Sequence, residues 1–180
     1  ASVAVAEARR ILGNLSNRRA LVVGAGTTSE LVAKALTSSG TESVFIANRP
    51  FARARDLARR FDGGAARIAD LPEHLADPDI VVSATNSPHH LLDRELLEPV
   101  MESRNDRPLL LIDLAVPRDI DPGVRELAGI TSLDIDDLQV VIERNAASRA
   151  AEAHKAERII DAELELFDQW VDSLEVLPAI

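Results

Sequence analysis

The apolar residues in the first two thirds of the chain fall into short, continuous runs. The stronger runs, rich in Val, Leu and Ile, occupy residues 20–24, 43–49, 79–85 and 108–116, and weaker ones occupy 66–69 and 130–134. Continuous runs of this length are typical of strands that are buried on both faces of a parallel sheet. The pattern therefore predicts six strands in one sheet.

Helix-compatible segments separate these runs. A short leading helix is predicted over residues 1–13, with Ser2 as a candidate N-cap and Gly13 as its stop. Further helices are expected within 30–38, 52–61 and 93–102. Regular alternation of strand and helix predicts an α/β fold of Rossmann type, with a doubly wound parallel sheet and right-handed crossovers.

The last third of the chain has a different pattern. Between residues 136 and 174 there is no Gly or Pro, and apolar residues recur at helical spacing. One unbroken helix of this length would extend roughly 58 Å, whereas a compact domain of the preceding residues would be only about 36 Å across. We therefore expect a nucleotide-binding domain over 1–135 and a long protruding helix in 136–180, with residues 175–180 as the start of a further connection.

Composition narrows the class of protein. The chain has 180 residues, no Cys and a formal net charge of −10, which excludes disulfide scaffolds and Cys-based zinc sites. Residues 1–135 carry 16 basic and 19 acidic side chains, net −3, and residues 136–180 carry 4 and 11, net −7. The acidity thus belongs mainly to the predicted helix and argues against nucleic-acid contact by that segment. No metal site and no membrane segment are expected, and the composition favours a cytoplasmic protein.

A glycine turn joins the first strand to the next helix. In the segment LVVGAGTTSE (21–30), the first glycine allows a tight turn, and the second lets the backbone approach a pyrophosphate at the helix N-terminus. This strand–turn–helix context predicts a dinucleotide site. Its expected phosphate-binding residues are Gly24, Ala25, Gly26, Thr27, Thr28 and Ser29.

The second strand ends in Asn48-Arg49, where sites that prefer NAD usually carry Asp or Glu. A guanidinium at this position favours the 2′-phosphate of NADP, and Arg53, one helical turn later, supplies a second positive charge. We therefore expect Asn48, Arg49 and Arg53 to bind the 2′-phosphate. Arg55, Arg59 and Arg60 are interpreted as a solvated helix face.

Polar residues also follow the fourth and fifth strands. Ser83, Ala84 and Thr85 are small enough to let the distal ribose region of a dinucleotide lie against the backbone. The adjacent His89 and His90 are interpreted as exposed loop residues, although an acid–base role stays open. The strand-end carboxylates, Asp113, Asp119 and Asp121, either serve the site or cap the short helix expected after Pro122.

Taken together, these segments resemble the glutamyl-tRNA reductase family. The resemblance covers essentially the whole chain, and the blocks DLAVPRDIDP (113–122) and DIDDLQ (134–139) are more specific than general Rossmann features. The other matching segments are 2–11, 21–36, 47–49, 52–58, 79–89, 109–112, 140–145 and 167–180.

The resemblance implies an NADPH-dependent oxidoreductase that reduces glutamyl-tRNA to glutamate-1-semialdehyde in tetrapyrrole (porphyrin) biosynthesis. It implies that this chain is the NADPH-binding domain plus part of a spinal helix, without the domain that carries the nucleophilic cysteine. No catalytic residue is therefore expected in the chain, and it should be inactive alone. Glutamyl-tRNA bound through the other domain, a second copy bound through the C-terminal helical region, and glutamate-1-semialdehyde aminomutase are the implied partners. Two departures from the family, Ser29 for a common Gly and Pro50 for a frequent hydroxyl residue, affect the cofactor site.

Two alternatives remain open at the level of sequence. One is an NADP oxidoreductase domain like that of shikimate dehydrogenase, a family that also favours Asn-Arg at this strand end. The other is a non-catalytic module that senses NADP and dimerises through residues 136–174.

Overall fold

The computed structural model describes residues 1–175, without the side chains of residues 150, 151 and 172–175. Six strands form the sheet: β1 (Arg19–Val23), β2 (Ser43–Asn48), β3 (Gly64–Arg67), β4 (Ile80–Ser83), β5 (Leu109–Asp113) and β6 (Ile130–Leu133). The helices are α1 (Ser2–Leu12), α2 (Thr27–Ser38), α3 (Phe51–Arg59), α4 (Leu71–His74), α5 (Arg94–Ser103) and α6 (Ile135–Glu175), with 3₁₀ turns at Ile68–Asp70 and Pro122–Glu126.

All strand pairs in the sheet are parallel, in the order β3-β2-β1-β4-β5-β6. The winding direction reverses between β1 and β4, and in doubly wound sheets this point opens a crevice at the carboxyl ends of the strands. The predicted Rossmann-type sheet is confirmed.

Alternate residues of the central strands enter two separate cores, which explains why the strands are apolar without interruption. In β1, Ala20 and Val22 pack in one core with α1, α2 and α3, whereas Leu21 and Val23 pack in the other with α4 and α5. All four side chains are at most 1% exposed. Both faces of the sheet are therefore covered, as parallel sheets require.

Helix boundaries differ from the predictions by a few residues. Ala1 rather than Ser2 occupies the N-cap of α1, and Ser2 is its first helical residue. α2 begins at Thr27, directly after the glycine turn, so its first N–H groups lie at the turn itself. The segment after Pro122 is a 3₁₀ turn rather than an α-helix.

A buried arginine holds the segments that lead into β4 and β5. Arg104 is 2% exposed, and its guanidinium donates hydrogen bonds to five backbone carbonyls. The shortest reach Pro78, at 2.6 Å, and Pro108, at 2.7 Å. Burial lowers the pKa of Arg104, and the carbonyls satisfy its donors in place of water.

The chain divides into two compact units, Ala1–Leu138 and residues 139 onward. The boundary falls within α6, and the 41 residues of this helix confirm the predicted long helix. Several of its large apolar side chains are more than half exposed, and the rings of Phe167 and Trp170 lie 5.8 Å apart. The predicted connection at 175–180 lies outside the described residues apart from the backbone of Glu175. None of the described helices combines the length and apolar character needed to cross a bilayer.

Candidate nucleotide-binding cleft

A cleft of about 540 Å³ opens at the carboxyl ends of β1, β2 and β4. The strand register sets its position, because Ala47, Val23 and Ser83 lie side by side as the strands end. The loops that follow these strands consequently begin at one edge of the sheet. The structure brings ten of the twelve predicted site residues into the lining: Gly24, Ala25, Gly26, Thr27, Thr28, Asn48, Arg49, Arg53, Ala84 and Thr85.

Gly24 makes the tight turn after β1. Its φ of 114° lies in a region that side chains disfavour, and a Cβ built on it would be 2.5 Å from the carbonyl oxygen of Ala84. The N–H of Gly24 donates to the carbonyl of Ala47 at 2.7 Å. Only glycine meets both the conformation and the close approach of the two loops.

Gly26 serves the cleft in a different way. It is the N-cap of α2 in an extended conformation, and a Cβ at this position would meet nothing within 4 Å. The missing side chain therefore leaves open space at the N-terminus of the helix, where the first N–H groups have no partner within the helix. Such groups, together with the positive end of the helix dipole, favour an anion.

The only carboxylate in the first turn of α2 is already paired. Glu30 accepts a 2.6 Å hydrogen bond from Arg60 of the segment after α3, and this bond lowers the pKa of Glu30. The Glu30 charge is thus balanced by a cation outside the cleft lining. An anion at the helix N-terminus consequently meets little repulsion from it.

The two arginines that follow β2, Arg49 in the turn and Arg53 on α3, are available to a ligand. Arg49 and Arg53 line the cleft and make no ion pair within the part of the chain that the structure describes, whereas Arg55 pairs with Asp56. The amide of Asn48 donates to the carbonyl of Pro50 at 3.0 Å, which fixes the turn that carries Arg49. No carboxylate occurs among the lining residues that the structure describes.

Two of the predicted contact residues lie behind the cleft instead of in its lining. Ser29 is fully buried, and its hydroxyl faces the Ala84 carbonyl at 3.5 Å, beneath the glycine turn. Ser83 is also fully buried, and its hydroxyl donates to Asp119 at 2.6 Å. Both side chains are enclosed, Ser29 where α2 packs on the sheet and Ser83 at the end of the central strand β4, so they support the loops that form the cleft.

The carboxylates after β5 organise loops. Asp113, 2% exposed, accepts hydrogen bonds from the N–H groups of Ala115 and Ile120. Burial raises the pKa of Asp113 despite these bonds. Asp121 accepts from the N–H of Gly123 at 2.7 Å and so caps the 3₁₀ turn, as one of the two interpretations of this cluster expects.

The histidines lie outside the lining. His90 is 3.2 Å from Asp121, and the backbone of His89 bonds to the side chain of Ser87. Across the described residues, no three His, Cys, Asp or Glu side chains come together in a way that would hold a metal ion.

Five lining residues were not predicted. They follow β3 and β4, and all but one belong to the loop after β4: Ile68, Asn86, Ser87, Pro88 and Leu91. The position of this loop, after a central strand of a parallel sheet, was the available signal. The cleft thus combines an open helix N-terminus, two unpaired guanidinium groups and an apolar side, which suits an elongated ligand with separate phosphates.

Comparisons with known proteins agree with the observed fold and indicate the family of the chain. Residues 6–141 match the family model described as Shikimate / quinate 5-dehydrogenase. Glutamyl-tRNA reductase from Solidesulfovibrio magneticus is 43% identical over 177 residues, which cover 98% of this chain and 39% of that protein. This similarity confirms the resemblance drawn from the sequence motifs.

Two solved structures differ in what they support. Glutamyl-tRNA reductase from Methanopyrus kandleri matches with a TM-score of 0.81 and 40% identity, over 96% of this chain and 44% of that one. Quinate dehydrogenase from Corynebacterium glutamicum in complex with NAD matches with a TM-score of 0.53 and 20% identity, over 77% of this chain and 52% of that one, and shows the fold alone. The chain spans about two fifths of the length of the reductases it matches.

Proposed function

The chain belongs to the shikimate / quinate 5-dehydrogenase family, and we propose that it is the NADPH-binding part of a glutamyl-tRNA reductase. The observation that carries the cofactor assignment is the pair Arg49 and Arg53. Both line a cleft that has no carboxylate among its described residues, and neither makes an ion pair with another described residue. A 2′-phosphate would neutralise both charges, whereas the 2′-hydroxyl of NAD would leave them uncompensated.

The proposed binding mode assigns each end of the ligand to a different part of the cleft. The N–H groups at the start of α2, opened by Gly26, hold the pyrophosphate, and the hydroxyl groups of Thr27 and Thr28 lie beside it. The Asn48 side chain, by its hydrogen bond to the carbonyl of Pro50, orients the turn so that Arg49 binds the 2′-phosphate. The backbone of Ala84 and Thr85 borders the distal ribose.

The bound cofactor would supply a hydride, and this chain would bind and orient it. The chain contains no Cys, so the thiol that the resemblance to reductases implies must come from another part of the protein. The proposed reaction of the whole protein is reduction of glutamyl-tRNA to glutamate-1-semialdehyde, which feeds tetrapyrrole biosynthesis in the cytoplasm. We also propose that the helical region that includes α6 forms a homodimer and that the aminomutase that consumes the product is a partner.

Calorimetric titration with NADPH and NADH tests the cofactor assignment. NADPH should bind more tightly, and Arg49→Ala should weaken NADPH binding by roughly ten- to a hundredfold, because a hydrogen bond to a charged group contributes about 1.5–3 kcal/mol. NADH binding should change little. Arg55→Ala is the matched control, since Arg55 lies on α3, the helix that follows Arg49, but is not part of the cleft lining and pairs with Asp56. Equal affinities for the two cofactors in the unmodified chain would refute the assignment of NADP.

A second experiment separates the proposed reaction from the alternative. The family description favours a shikimate-dehydrogenase-like oxidoreductase as the second candidate. The chain joined to a Cys-bearing reductase domain should reduce glutamyl-tRNA, and the chain alone should not. Oxidation of shikimate by the joined protein with NADP, together with no reduction of glutamyl-tRNA, would favour the alternative.

A further inference from the structure

One side of the cleft is a single loop, residues 84–91, between β4 and the segment that leads into α5. Six of its residues line the cleft: Ala84, Thr85, Asn86, Ser87, Pro88 and Leu91. Because this loop has no regular secondary structure of its own, something else must hold its shape. Both of its ends are bonded to Asp119, a residue of the loop after β5.

The side chain of Asp119 holds the beginning of the loop. One carboxylate oxygen accepts from the Ser83 hydroxyl at 2.6 Å and from the Thr85 N–H at 2.9 Å, and the other accepts from the Thr85 hydroxyl at 2.5 Å. The Thr85 hydroxyl in turn accepts from the N–H of Ser87 at 3.0 Å. The carboxylate therefore determines the conformation of the first four residues after β4.

The backbone of the same residue holds the end of the loop. The carbonyl of Asp119 accepts from the N–H of Leu91 at 2.6 Å and from the N–H of Leu92 at 3.1 Å. The next residues continue the contact, because Ile120 and Leu92 form a parallel bridge. One fully buried residue thus fixes both ends of the loop.

The carboxylate is suited to this task in a way that other side chains are not. Its two oxygens accept three hydrogen bonds, it is 0% exposed, and within the described residues it pairs with no cation. An amide at this position has a single acceptor oxygen, and its NH₂ group would oppose a hydroxyl or an N–H donor. A group that served only to fill space would not need this set of acceptors.

We propose that Asp119 is a positioning residue of the nucleotide site, which shapes the 84–91 loop so that its backbone and Thr85 face the bound dinucleotide. The proposal rests on the proposed function for the identity of the ligand. Asp119 acts through Thr85 and touches no ligand itself, since its carboxylate is enclosed behind the loop.

Asp119→Asn in the whole chain tests the proposal, with three measurements: NADPH affinity by calorimetry, the melting temperature, and the amide resonance of Thr85 by NMR in the absence of ligand. Asp79→Asn is the matched control, because Asp79 is another buried carboxylate, which accepts from the N–H of Arg19 and lies at the amino end of β4, opposite the 84–91 loop. We expect Asp119→Asn to weaken NADPH binding by about tenfold or more and to shift the Thr85 resonance. In Asp79→Asn, both should stay close to those of the unmodified chain, even if its melting temperature falls.

An unfolded Asp119→Asn variant would still leave a decisive substitution. Thr85→Val is nearly isosteric and removes only the hydroxyl that joins Asp119 to Ser87. It should weaken NADPH binding severalfold on its own. Where Asp119→Asn does fold, the effect of Thr85→Val should be smaller in that background, because the two residues act through one contact. An unchanged NADPH affinity in Thr85→Val or in a folded Asp119→Asn variant, or fully additive effects of the two substitutions, would overturn the proposal.

Failure of the proposed function gives a different result. If the unmodified chain binds no NADPH, the ligand is wrong and the role assigned toward it falls with it. The Thr85 resonance then still reports, without any ligand, whether Asp119 holds the loop.

Discussion

The glycine turn allows two substitutions of the same kind with opposite expected results. Gly24→Ala places a methyl group 2.5 Å from the Ala84 carbonyl oxygen and 2.8 Å from the Ser29 hydroxyl, at a φ of 114°. Gly26→Ala, two residues later, places a methyl group in open space. We expect the first to destabilise the fold and the second to impair binding only.

The magnitudes follow from these positions. A residue with a side chain at such a φ costs about 1–3 kcal/mol, and overlap with a backbone oxygen adds to this, so Gly24→Ala should lose about 3 kcal/mol or more. For a domain of this size the melting temperature should fall by about 6–12 °C. At Gly26, alanine stabilises by about 0.4–1 kcal/mol through the unfolded state but is a poorer N-cap than glycine by a similar amount. The free energy of unfolding should therefore stay within about 1 kcal/mol of the original value.

Among folded variants, NADPH binding should be weakened more by Gly26→Ala than by Gly24→Ala. The methyl group of Gly26→Ala occupies space in front of the helix N–H groups, and losing one hydrogen bond to a charged phosphate costs about 1.4 kcal/mol or more, which is a tenfold loss of NADPH affinity. Thermal unfolding by circular dichroism and calorimetric titration measure the two effects. An unchanged melting temperature in Gly24→Ala, or full NADPH affinity in Gly26→Ala, would refute this reasoning.

Three further predictions concern charge. Burial alone would raise the pKa of Asp134, but the hydrogen bond from the Asp137 N–H and the cations Arg118 and Arg125 lower it below the ordinary value of 3.8. The Asp134 carboxylate should therefore stabilise the fold fully above pH 3.8. The difference in stability between the unmodified chain and Asp134→Asn, measured by urea unfolding, should shrink as the pH falls below that value. Arg104→Met should cost about 3–5 kcal/mol in the same assay, because five buried carbonyls lose their donor, and a wild-type midpoint would contradict that account. Raising the ionic strength should weaken NADPH binding more than NADH binding, and equal salt slopes in titrations would argue against the bound 2′-phosphate.

The features that could be predicted from the sequence are those that depend on the local pattern of residues. The apolar runs predict the strands because both faces of the sheet are buried, so Leu21 and Val22 must both be apolar although they enter different cores. The glycine turn and Arg49 were identifiable because each directly follows a strand. The boundaries of α2 and α3 lie within a few residues of the predicted ones, because helix ends depend mainly on neighbouring residues.

The remaining features depend on contacts between distant parts of the chain. Asp119 binds Thr85 across 34 positions, and nothing local to either residue indicates the partner. Ser29 was expected to face the phosphates, but the approach of Ala84 to the glycine turn encloses its hydroxyl. Arg104 carries no local sign that it is buried, because three of its five acceptors lie on a separate backbone segment, residues 75–78.

The aromatic pair on α6 makes the chain its own spectroscopic probe. Trp170 is the single tryptophan and there is no tyrosine, so the intrinsic fluorescence of the protein arises essentially from one half-exposed indole. That indole belongs to a different compact unit from the residues that line the cleft. Burial of α6 against a second copy would shift the indole emission to shorter wavelength, while the reduced nicotinamide emits in its own band. Assembly and cofactor binding can therefore be followed in one cuvette, without a label, as two separate signals.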